Sequence, residues 1–268
     1  MALSVVSINV NGIRAAARKG LLEWIETNNP DVIAMQEVRA PDDVLRDILS
    51  DGWNIVHNEC STKGRAGVAI ASRPGIDADV EAMPGLPDHC DGSGRWVEAR
   101  IATGGPVPLT VVSAYVHTGD SADDRRMKEK LTFMDLMVER VTELRDSGSM
   151  VLLTGDLNVA HRELDIRNWR GNIGKAGFRE DERARLDHLF NTAGFVDLGR
   201  HFAGEVDGPY TWWTYRGRAY ENDAGWRIDY QIADAELASS AKQVSVDRSM
   251  PYEGRWSDHS PLTVDFDL

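Results

Sequence analysis

The stretch MVLLTGDLN, residues 150–158, combines a predicted strand with the first polar residues of a candidate site. Its apolar part, Met150 to Leu153, is typical of a buried β-strand. Asp156 and Asn158 follow, and side chains two residues apart on an extended chain project to the same side. A carboxylate and a carboxamide placed in this way can hold a water molecule and orient a phosphate. The end of this strand is therefore a candidate active-site edge.

Strand-like and helix-like segments alternate along the rest of the chain. Apolar runs predict strands over residues 3–9, 31–35, 53–58, 67–72, 96–101, 109–115, 211–215, 226–232, 243–247 and 262–266. Helical patterns cover residues 21–28, 41–49, 124–145 and 180–192. Many strands and few helices, in two matching halves, predict an α/β fold of two packed sheets with helices outside. The chain lacks a linker-like stretch, so we expect residues 1–268 to form a single domain.

Length and composition limit the classes of protein that fit. The chain has 268 residues, of which 42% are hydrophobic, and its apolar runs all fall short of a membrane span. The N-terminus has no basic leader, so we expect no signal peptide and favour a bacterial cytoplasm over a nucleus. Cys60 and Cys90 form no CxxC pair, which fits a reducing compartment without disulfides or structural zinc. No coiled-coil pattern is present, so we expect a monomer.

The net charge of −13 argues mildly against binding to nucleic acid. A locally basic rim can nevertheless act on phosphates while the rest of the surface stays acidic. Two segments, residues 125–130 and 162–175, are locally basic. Charge alone favours reading them as solvated helix faces and loops.

Polar side chains recur just beyond the apolar strands, where α/β proteins assemble their sites. Each has a plain structural explanation when taken alone, such as a turn cap or an ion pair of Glu37 with Arg39 or Arg14. Agreement at six strand ends is much harder to explain by chance. The residues are Asn9 and Asn11, Gln36 and Glu37, Tyr115, Asp156 and Asn158, Asp229, and the pair Asp258-His259.

Four of these residues are carboxylates whose convergence would create strong repulsion: Glu37, Asp156, Asp229 and Asp258. A hard divalent cation relieves such repulsion, and oxygen ligands without cysteine favour Mg²⁺ or Mn²⁺ over zinc. His259 could act as a general base or as an electrostatic clamp. A carboxylate such as Asp229 could fix the tautomer of that imidazole.

A site of this kind suits phosphodiester hydrolysis, which needs a metal for the oxyanion, a base for water and amide donors for the phosphate. Acyl transfer is disfavoured because the sequence has no GxSxG elbow. The sequence also has no Walker A loop and no GxGxxG after a strand, which argues against nucleotide-binding classes.

Taken together, these motifs resemble the exonuclease III family of apurinic/apyrimidinic (AP) endonucleases, within the DNase I-like endonuclease/exonuclease/phosphatase superfamily. The matching segments follow the family order from residue 7 to residue 260, and as a set they are very specific. They are SINVNGIRA (7–15), DVIAMQE (31–37), GDLNVAH (155–161), GN (171–172) with AGF (176–178), YTWW (210–213), GWRIDY (225–230) and SDH (257–259).

The resemblance implies a four-layer α/β sandwich, with two mixed sheets flanked by helices and the site where the sheets meet. It implies that Glu37 is the principal Mg²⁺ ligand, assisted by Asp258 and Asn9. Asp156, Asn158 and His259 are further candidates for the metal site. Mn²⁺ is the expected substitute for Mg²⁺.

The resemblance also assigns catalytic roles to residues at the strand ends. Asp156 would activate or position the attacking water, and Asn158 would hold that water and the phosphate. His259, paired with Asp229, would contact the scissile phosphate, and Tyr115 would stabilise the phosphate or the leaving oxygen.

Double-stranded DNA with an abasic site or a 3′ end is the partner that the resemblance implies. Trp212 and Trp226 match the aromatic positions that wall a pocket for a base-less sugar, whereas Trp213 is expected to pack in the core. Contacts to DNA are expected from Arg14, Lys19, Arg65, Arg125, Asn168 and Asn172. Phosphate contacts of this kind position DNA without reading its sequence, as suits an enzyme whose target is damage.

Four positions depart from what many relatives carry: Asn11, Arg65, Thr118 and Arg216. None of the four removes a catalytic group. They leave open how activity divides between incision at AP sites and processing of 3′ ends.

Three hypotheses follow. The first is a Mg²⁺-dependent DNA repair nuclease that cuts 5′ to an abasic site and trims 3′ ends, with a 3′-processing exonuclease of little AP activity as its variant. The second is a phosphatase or phospholipase of the same superfamily, which the abasic-pocket aromatics and the loop at residues 171–178 disfavour. The third is a paralogue that binds damaged DNA without cutting. Its signature would be loss of a catalytic residue, and Glu37, Asp156, Asn158 and His259 are all present.

Overall fold

The computed structural model describes residues 1–74 and 92–268 of the chain. Within these residues the strands are β1 (Ala2–Asn9), β2 (Val32–Gln36), β3 (Asn54–Asn58), β4 (Val68–Ser72), β5 (Trp96–Ile101), β6 (Leu109–Tyr115), β7 (Met150–Asp156), β8 (Val196–Asp197), β9 (Asp229–Ala233), β10 (Ala241–Val246) and β11 (Leu262–Asp267). The α-helices are α1 (Ile13–Arg18), α2 (Leu21–Asn28), α3 (Asp42–Leu49), α4 (Asp124–Asp146), α5 (Glu180–Asp187), α6 (Leu198–Ala203) and α7 (Ala235–Ser240).

The strands form two mixed sheets. The first has the order β10-β11-β1-β2-β4-β3, in which β1 and β2 are parallel and the other pairs are antiparallel. The second has the order β5-β6-β7-β9-β8, in which β6 and β7 are the parallel pair. The two sheets predicted from the alternating pattern are therefore confirmed.

Alternate residues of the central strands enter different cores, because successive side chains of a strand point to opposite faces. Val111 of β6 belongs to the core between the two sheets, whereas Val112 belongs to the core under α4. In the first sheet, Val5 faces the second sheet and Val6 faces α1, α2 and α3. The result is a four-layer sandwich of helices, sheet, sheet and helices, as the resemblance implied.

One predicted strand is wrong. Residues 211–215 form no strand, and Trp212 makes only isolated bridges to Trp226 and His259 before the chain turns away. The predicted strand at 226–232 likewise begins later, as β9 at Asp229. Large aromatic side chains favour strands, but here they wall a cleft and interrupt the ladder.

Three short helices, α1, α6 and α7, were not predicted. Each spans six residues, too few for a helical period to stand out in the sequence. The predicted helix over 180–192 is present as α5 followed by a wider π-type turn, His188–Thr192.

The structure bears on two expectations about the whole chain, one about its cysteines and one about membrane-spanning segments. Cys60 is a partly exposed free thiol, and Cys90 lies outside the described residues. Across residues 1–74 and 92–268, every helix is too short or too polar to serve as a membrane span.

Candidate active site

The candidate site is a cleft of about 260 Å³ at the ends of β2, β6 and β7. It lies where the two sheets open toward the same side, which brings together polar residues from both halves of the chain. The lining residues include Asn11, Glu37, Arg39, Tyr115, Thr118, Asp156, Asn158, Trp212, Trp226, Asp258 and His259. Asn9 and Asp229 are buried immediately behind these residues and contact them directly.

Several residues of the cleft adopt the left-handed backbone conformation that usually favours glycine. The φ angles are 47° at Asn11 and 52° at both Glu37 and Asn158. Such positions cost of order 1–3 kcal/mol each and persist where the surroundings hold them. Backbone hydrogen bonds hold Asn11 and Glu37 in this conformation. The amides of Val10 and Gly12 donate to the carbonyls of Gln36 (2.9 Å) and Glu37 (2.8 Å).

Gly155 allows β6 and β7 to come close just before β7 ends at Asp156. Its φ is 137°, and a Cβ added there would lie 2.0 Å from the carbonyl oxygen of Ala114. A larger residue would push the two parallel strands apart and would shift Asp156. The GDLN motif therefore requires glycine at position 155, because a side chain there would clash with the neighbouring strand.

Asn9 joins two carboxylates at the bottom of the cleft. Its Nδ2 donates to Glu37 Oε1 and to Asp156 Oδ2, each at 3.0 Å. Asn9 is fully buried, and Asn11 holds its amide in place by donating its backbone N–H to Asn9 Oδ1 (3.0 Å). A neutral amide thus connects Glu37 of the first sheet to Asp156 of the second.

Asp156 and Asn158 lie on the same side, as the two-residue spacing predicted. The backbone amide of Asn158 donates to Asp156 Oδ1 (2.9 Å), and its Nδ2 donates to Asp156 Oδ2 (3.2 Å). Nδ2 also donates to the carbonyl of Val116 (3.0 Å), so the carboxamide plane is fixed from two directions.

His259 lies between two carboxylates. Its Nδ1 is 2.8 Å from Asp229 Oδ2, and its Nε2 is 3.8 Å from Asp156 Oδ2. Burial lowers the pKa of His259, but the charges of Asp229, Asp156 and Asp258 outweigh that effect and raise the pKa to about 10. Both ring nitrogens of His259 therefore carry a proton at neutral pH, and Nδ1 donates its N–H to Asp229.

Burial also raises the pKa of Asp156, and the charges of Asp229 and Glu37 raise it further. The opposing effects of His259 and Asn9 leave that pKa at about 7. A carboxyl group with this pKa can both take up and release a proton near neutral pH.

Asp258 is held by two donors that line the cleft. Asn11 Nδ2 donates to Asp258 Oδ1 (2.8 Å), and Trp212 Nε1 donates to Asp258 Oδ2 (3.0 Å). Trp212 also meets Trp226 edge to face, with ring centroids 6.1 Å apart and planes at 87°. Trp213 is fully buried, in agreement with the packing role predicted for it.

Tyr115 ends β6 at the edge of the cleft. Its ring lies under the guanidinium of Arg95, 4.6 Å from Cζ to the ring centroid. Burial raises the pKa of the Tyr115 hydroxyl, and the charges of Glu37 and Asp156 raise it further. The hydroxyl therefore keeps its proton and can donate a hydrogen bond into the cleft.

The oxygen-rich cleft fits a hard divalent cation. Glu37 Oε2 and Asp229 Oδ1 are buried and accept no hydrogen bond from the described residues, although the Arg39 guanidinium lies against the former. Asp156, Asp229 and His259 offer ligand atoms within 4.8 Å of one another. Because His259 is protonated and already bound to Asp229, the oxygens around Glu37 and Asp156 are the better ligand set.

The proposed DNA contacts fall into two groups. Trp212 and Trp226 line the cleft, and the loop that carries Asn168 and Asn172 leads directly into its wall at Ala176. In that loop, Asn172 Nδ2 donates to the carbonyl of Asn168 (2.9 Å). The cations Arg14, Lys19, Arg65 and Arg125 are exposed and do not line the cleft.

Lys130 corrects the interpretation of the basic segment at residues 125–130. Its side chain is fully buried, and its Nζ lies 2.5 Å from Glu182 Oε1. It also donates to the carbonyls of Thr118 (3.1 Å) and Asn158 (2.8 Å). Glu182 in turn accepts from the amide of Gly177 (2.8 Å), so this pair connects three loops around the cleft. A lysine among arginines in a helix gave no signal of that role.

Two packed mixed sheets with a carboxylate-rich cleft at their common edge define the DNase I-like class of fold. The chain belongs to the endonuclease/exonuclease/phosphatase family, whose model matches residues 6–259. It is 31% identical to an exodeoxyribonuclease of Bacillus subtilis over 267 residues, which cover 98% of both chains.

Solved structures agree with this membership. An AP endonuclease from Archaeoglobus fulgidus superposes with a TM-score of 0.83 at 29% identity, covering 99% of this chain and 100% of that one. The 3′ phosphatase NExo from Neisseria, bound to a product DNA hairpin, superposes with a TM-score of 0.83 at 25% identity and the same coverage.

Proposed function

We propose that this chain is a metal-dependent DNA repair nuclease that hydrolyses the phosphodiester 5′ to an abasic site and also processes 3′ ends. The observation that carries the proposal is the cleft itself. Glu37 and Asp156, linked by Asn9, lie opposite the aromatic wall of Trp212 and Trp226. The relatives named as exodeoxyribonuclease and AP endonuclease support DNA as the substrate.

A divalent cation would be held by the carboxylates of Glu37, Asp258 and Asp156, with Asn9 linking Glu37 to Asp156. Mg²⁺ is the cation that an all-oxygen site favours, with Mn²⁺ as a substitute. When bound, it would neutralise charge that develops on the phosphate during hydrolysis. The close approach of the Glu37 and Asp156 carboxylates, which share the amide of Asn9, supports this assignment.

The other residues of the cleft handle water and the phosphate. Asp156 accepts the proton of the attacking water, a role that suits its position beside Asn158 at the end of β7. Asn158 fixes Asp156 and leaves its amide oxygen for the water. His259 directs an N–H at the scissile phosphate while Asp229 orients the ring, and Tyr115 donates to the phosphate or the leaving oxygen.

The substrate enters between the aromatic wall and the exposed cations. A sugar without a base fits a cleft of about 260 Å³ walled by Trp212 and Trp226, whereas a normal nucleotide stays stacked in the duplex. The DNA backbone would contact Arg14, Lys19, Arg65, Arg125, Asn168 and Asn172. We further propose that residues 1–268 act as a single domain and as a monomer of a bacterial cytoplasm.

The test uses a duplex oligonucleotide with one abasic analogue, beside an undamaged duplex with a recessed 3′ end. The purified chain is expected to incise the first in Mg²⁺ and to shorten the second more slowly, and EDTA is expected to stop both reactions. Shortening without incision would replace the proposal by a 3′-processing exonuclease. Inactivity on both substrates in Mg²⁺ and in Mn²⁺, with release of phosphate from an inositol phosphate, would refute it.

A further inference from the structure

Arg39 lies in the cleft without a role in the reaction described above. Its Nη2 forms an ion pair with Glu37 Oε2, while the other oxygen of Glu37 accepts a hydrogen bond from Asn9. The Arg39 side chain is 40% exposed and is part of the lining of the cleft. Among the described residues that line the cleft, Arg39 alone carries a permanent positive charge.

The backbone holds Arg39 at this position in spite of strain. Glu37 and Arg39 both have a φ of 52°, on either side of the fully buried Val38. The amides of Val38 and Arg39 donate to the carbonyls of Gly67 (3.0 Å) and Ala66 (2.8 Å) of the neighbouring segment. Two strained positions separated by a single residue point to surroundings that enforce one geometry, as is common at functional sites.

The guanidinium and a divalent cation compete for the same oxygen. The Arg39 guanidinium lies against Glu37 Oε2 as a charge pair, and a divalent cation can replace it. Two cations against one carboxylate oxygen repel each other. The long, half-exposed side chain of Arg39 can turn outward without any change in the backbone.

We propose that Arg39 is an exchangeable counter-ion of Glu37: it neutralises this carboxylate until the divalent cation binds, and then turns its guanidinium to a non-bridging oxygen of the substrate phosphate. This inference rests on the proposed function. A guanidinium suits both positions, because its planar set of donors matches a carboxylate and a phosphate equally well.

The first test measures metal binding by the full chain without DNA. Mn²⁺ is titrated into wild type, Arg39→Gln, Arg39→Lys and Arg100→Gln, and the free ion is followed by electron paramagnetic resonance. Arg100 is exposed on β5 outside the cleft, so its variant controls for the loss of one positive charge. Arg39→Gln is expected to bind Mn²⁺ about threefold more tightly or better, and both Arg39→Lys and Arg100→Gln are expected to bind like wild type.

The second test compares thermal unfolding of the same proteins in EDTA and in saturating Mn²⁺. Arg39→Gln is expected to unfold at a lower temperature than wild type in EDTA, because its carboxylates lose their counter-ion. Saturating Mn²⁺ is expected to remove that difference. Arg39→Gln is also expected to raise the KM for abasic duplex several-fold more than it lowers kcat, since the phosphate loses a contact.

Weaker or unchanged Mn²⁺ binding in Arg39→Gln would overturn the inference, and so would an EDTA-state midpoint equal to that of wild type. These measurements contain no DNA, so they stand even if the wild-type chain fails to incise abasic duplex. Conversely, normal incision by wild type with unchanged Mn²⁺ binding in Arg39→Gln would refute the counter-ion role and leave the proposed nuclease intact.

Discussion

Two buried clusters of charged side chains meet the chain near the start of β9, one at Arg227 and the other at Asp229. They differ in the balance of their charges. In the first, Arg227 is bound by Asp165 (Nε to Oδ1, 2.7 Å) and by both oxygens of Asp197 (3.0 and 2.7 Å). Arg200 adds a second contact to Asp165 at 2.5 Å. Two arginines thus face two aspartates, and the cluster is neutral and closed.

The second cluster is the candidate active-site cleft, and its charges do not balance. The carboxylates of Glu37, Asp156, Asp229 and Asp258 face two cations, His259 and Arg39. One oxygen of Glu37 and one of Asp229 accept no hydrogen bond from the described residues, whereas both oxygens of Asp165 and both of Asp197 do. The comparison suggests that a structural cluster is neutralised from within the chain, while a cluster for chemistry keeps a negative excess for a ligand.

The largest expected effect comes from breaking the closed cluster. Asp165→Ala leaves Arg227 and Arg200 without a shared carboxylate, and removing one partner of a buried ion pair costs about 3–5 kcal/mol. The free energy of unfolding, measured by urea denaturation, is expected to fall by that amount. Asp207→Asn, which breaks an exposed pair with Arg167, is the control and is expected to cost less than about 1 kcal/mol. A stable Asp165→Ala protein would show that the two clusters do not differ in this way.

The next largest effect is expected in the candidate active-site cleft, where a substitution should lower the rate and leave the stability almost unchanged. Asp156→Asn is expected to lower the rate of incision by at least about 10²-fold, because the proton acceptor for water is lost. Its free energy of unfolding is expected to change by less than about 1 kcal/mol, because one of four crowded carboxylates becomes neutral. Single-turnover incision and urea denaturation measure the two quantities. Near-normal incision would refute the role of Asp156, and a large loss of stability would place it with Asp165.

Lowering the pH is expected to reduce the stability that the Arg227 cluster contributes, by a smaller amount than its disruption. Burial raises the pKa of Asp165, but Arg227 and Arg200 outweigh it and hold the pKa at about 2, below the usual 3.8. A group with a depressed folded pKa contributes stability above its unfolded pKa and loses it as the pH falls through the folded value. We expect about 2 kcal/mol to disappear between pH 4 and pH 2. Asp165→Asn should remove that part of the pH dependence, and an unchanged profile would contradict the assignment.

Much of the cleft could be predicted because its residues follow apolar strands. Glu37 after β2, Asp156 at the end of β7 and His259 before β11 lie where the ends of those strands meet, and the pattern of each strand is visible locally. The pairing of His259 with Asp229 was implied by the family resemblance, and the structure places Nδ1 of His259 2.8 Å from Oδ2 of Asp229.

What could not be predicted depends on contacts between distant segments. Lys130 is one of several basic residues in its helix, and only the packing of α4 against two loops buries it. The pairing of Arg227 with Asp165 and Asp197 joins residues 62 and 30 positions apart, with no local pattern. Trp212 was predicted to lie in a strand, but its indole N–H donates a hydrogen bond to Asp258 in the cleft.

The smallest expected effect separates two neighbouring tryptophans. Trp212→Phe keeps the aromatic wall but removes the N–H that Asp258 accepts at 3.0 Å, and a hydrogen bond of this kind is worth about 1 kcal/mol. We expect incision of abasic duplex to slow about fivefold, with unchanged unfolding, because the half-buried indole lines the candidate active-site cleft. Trp213→Phe removes the bond to Asp223 (3.1 Å) from a fully buried ring. That variant is expected to lose about 1 kcal/mol of stability and to retain its rate, so a reversed result would show that the wall and the core had been assigned to the wrong residues.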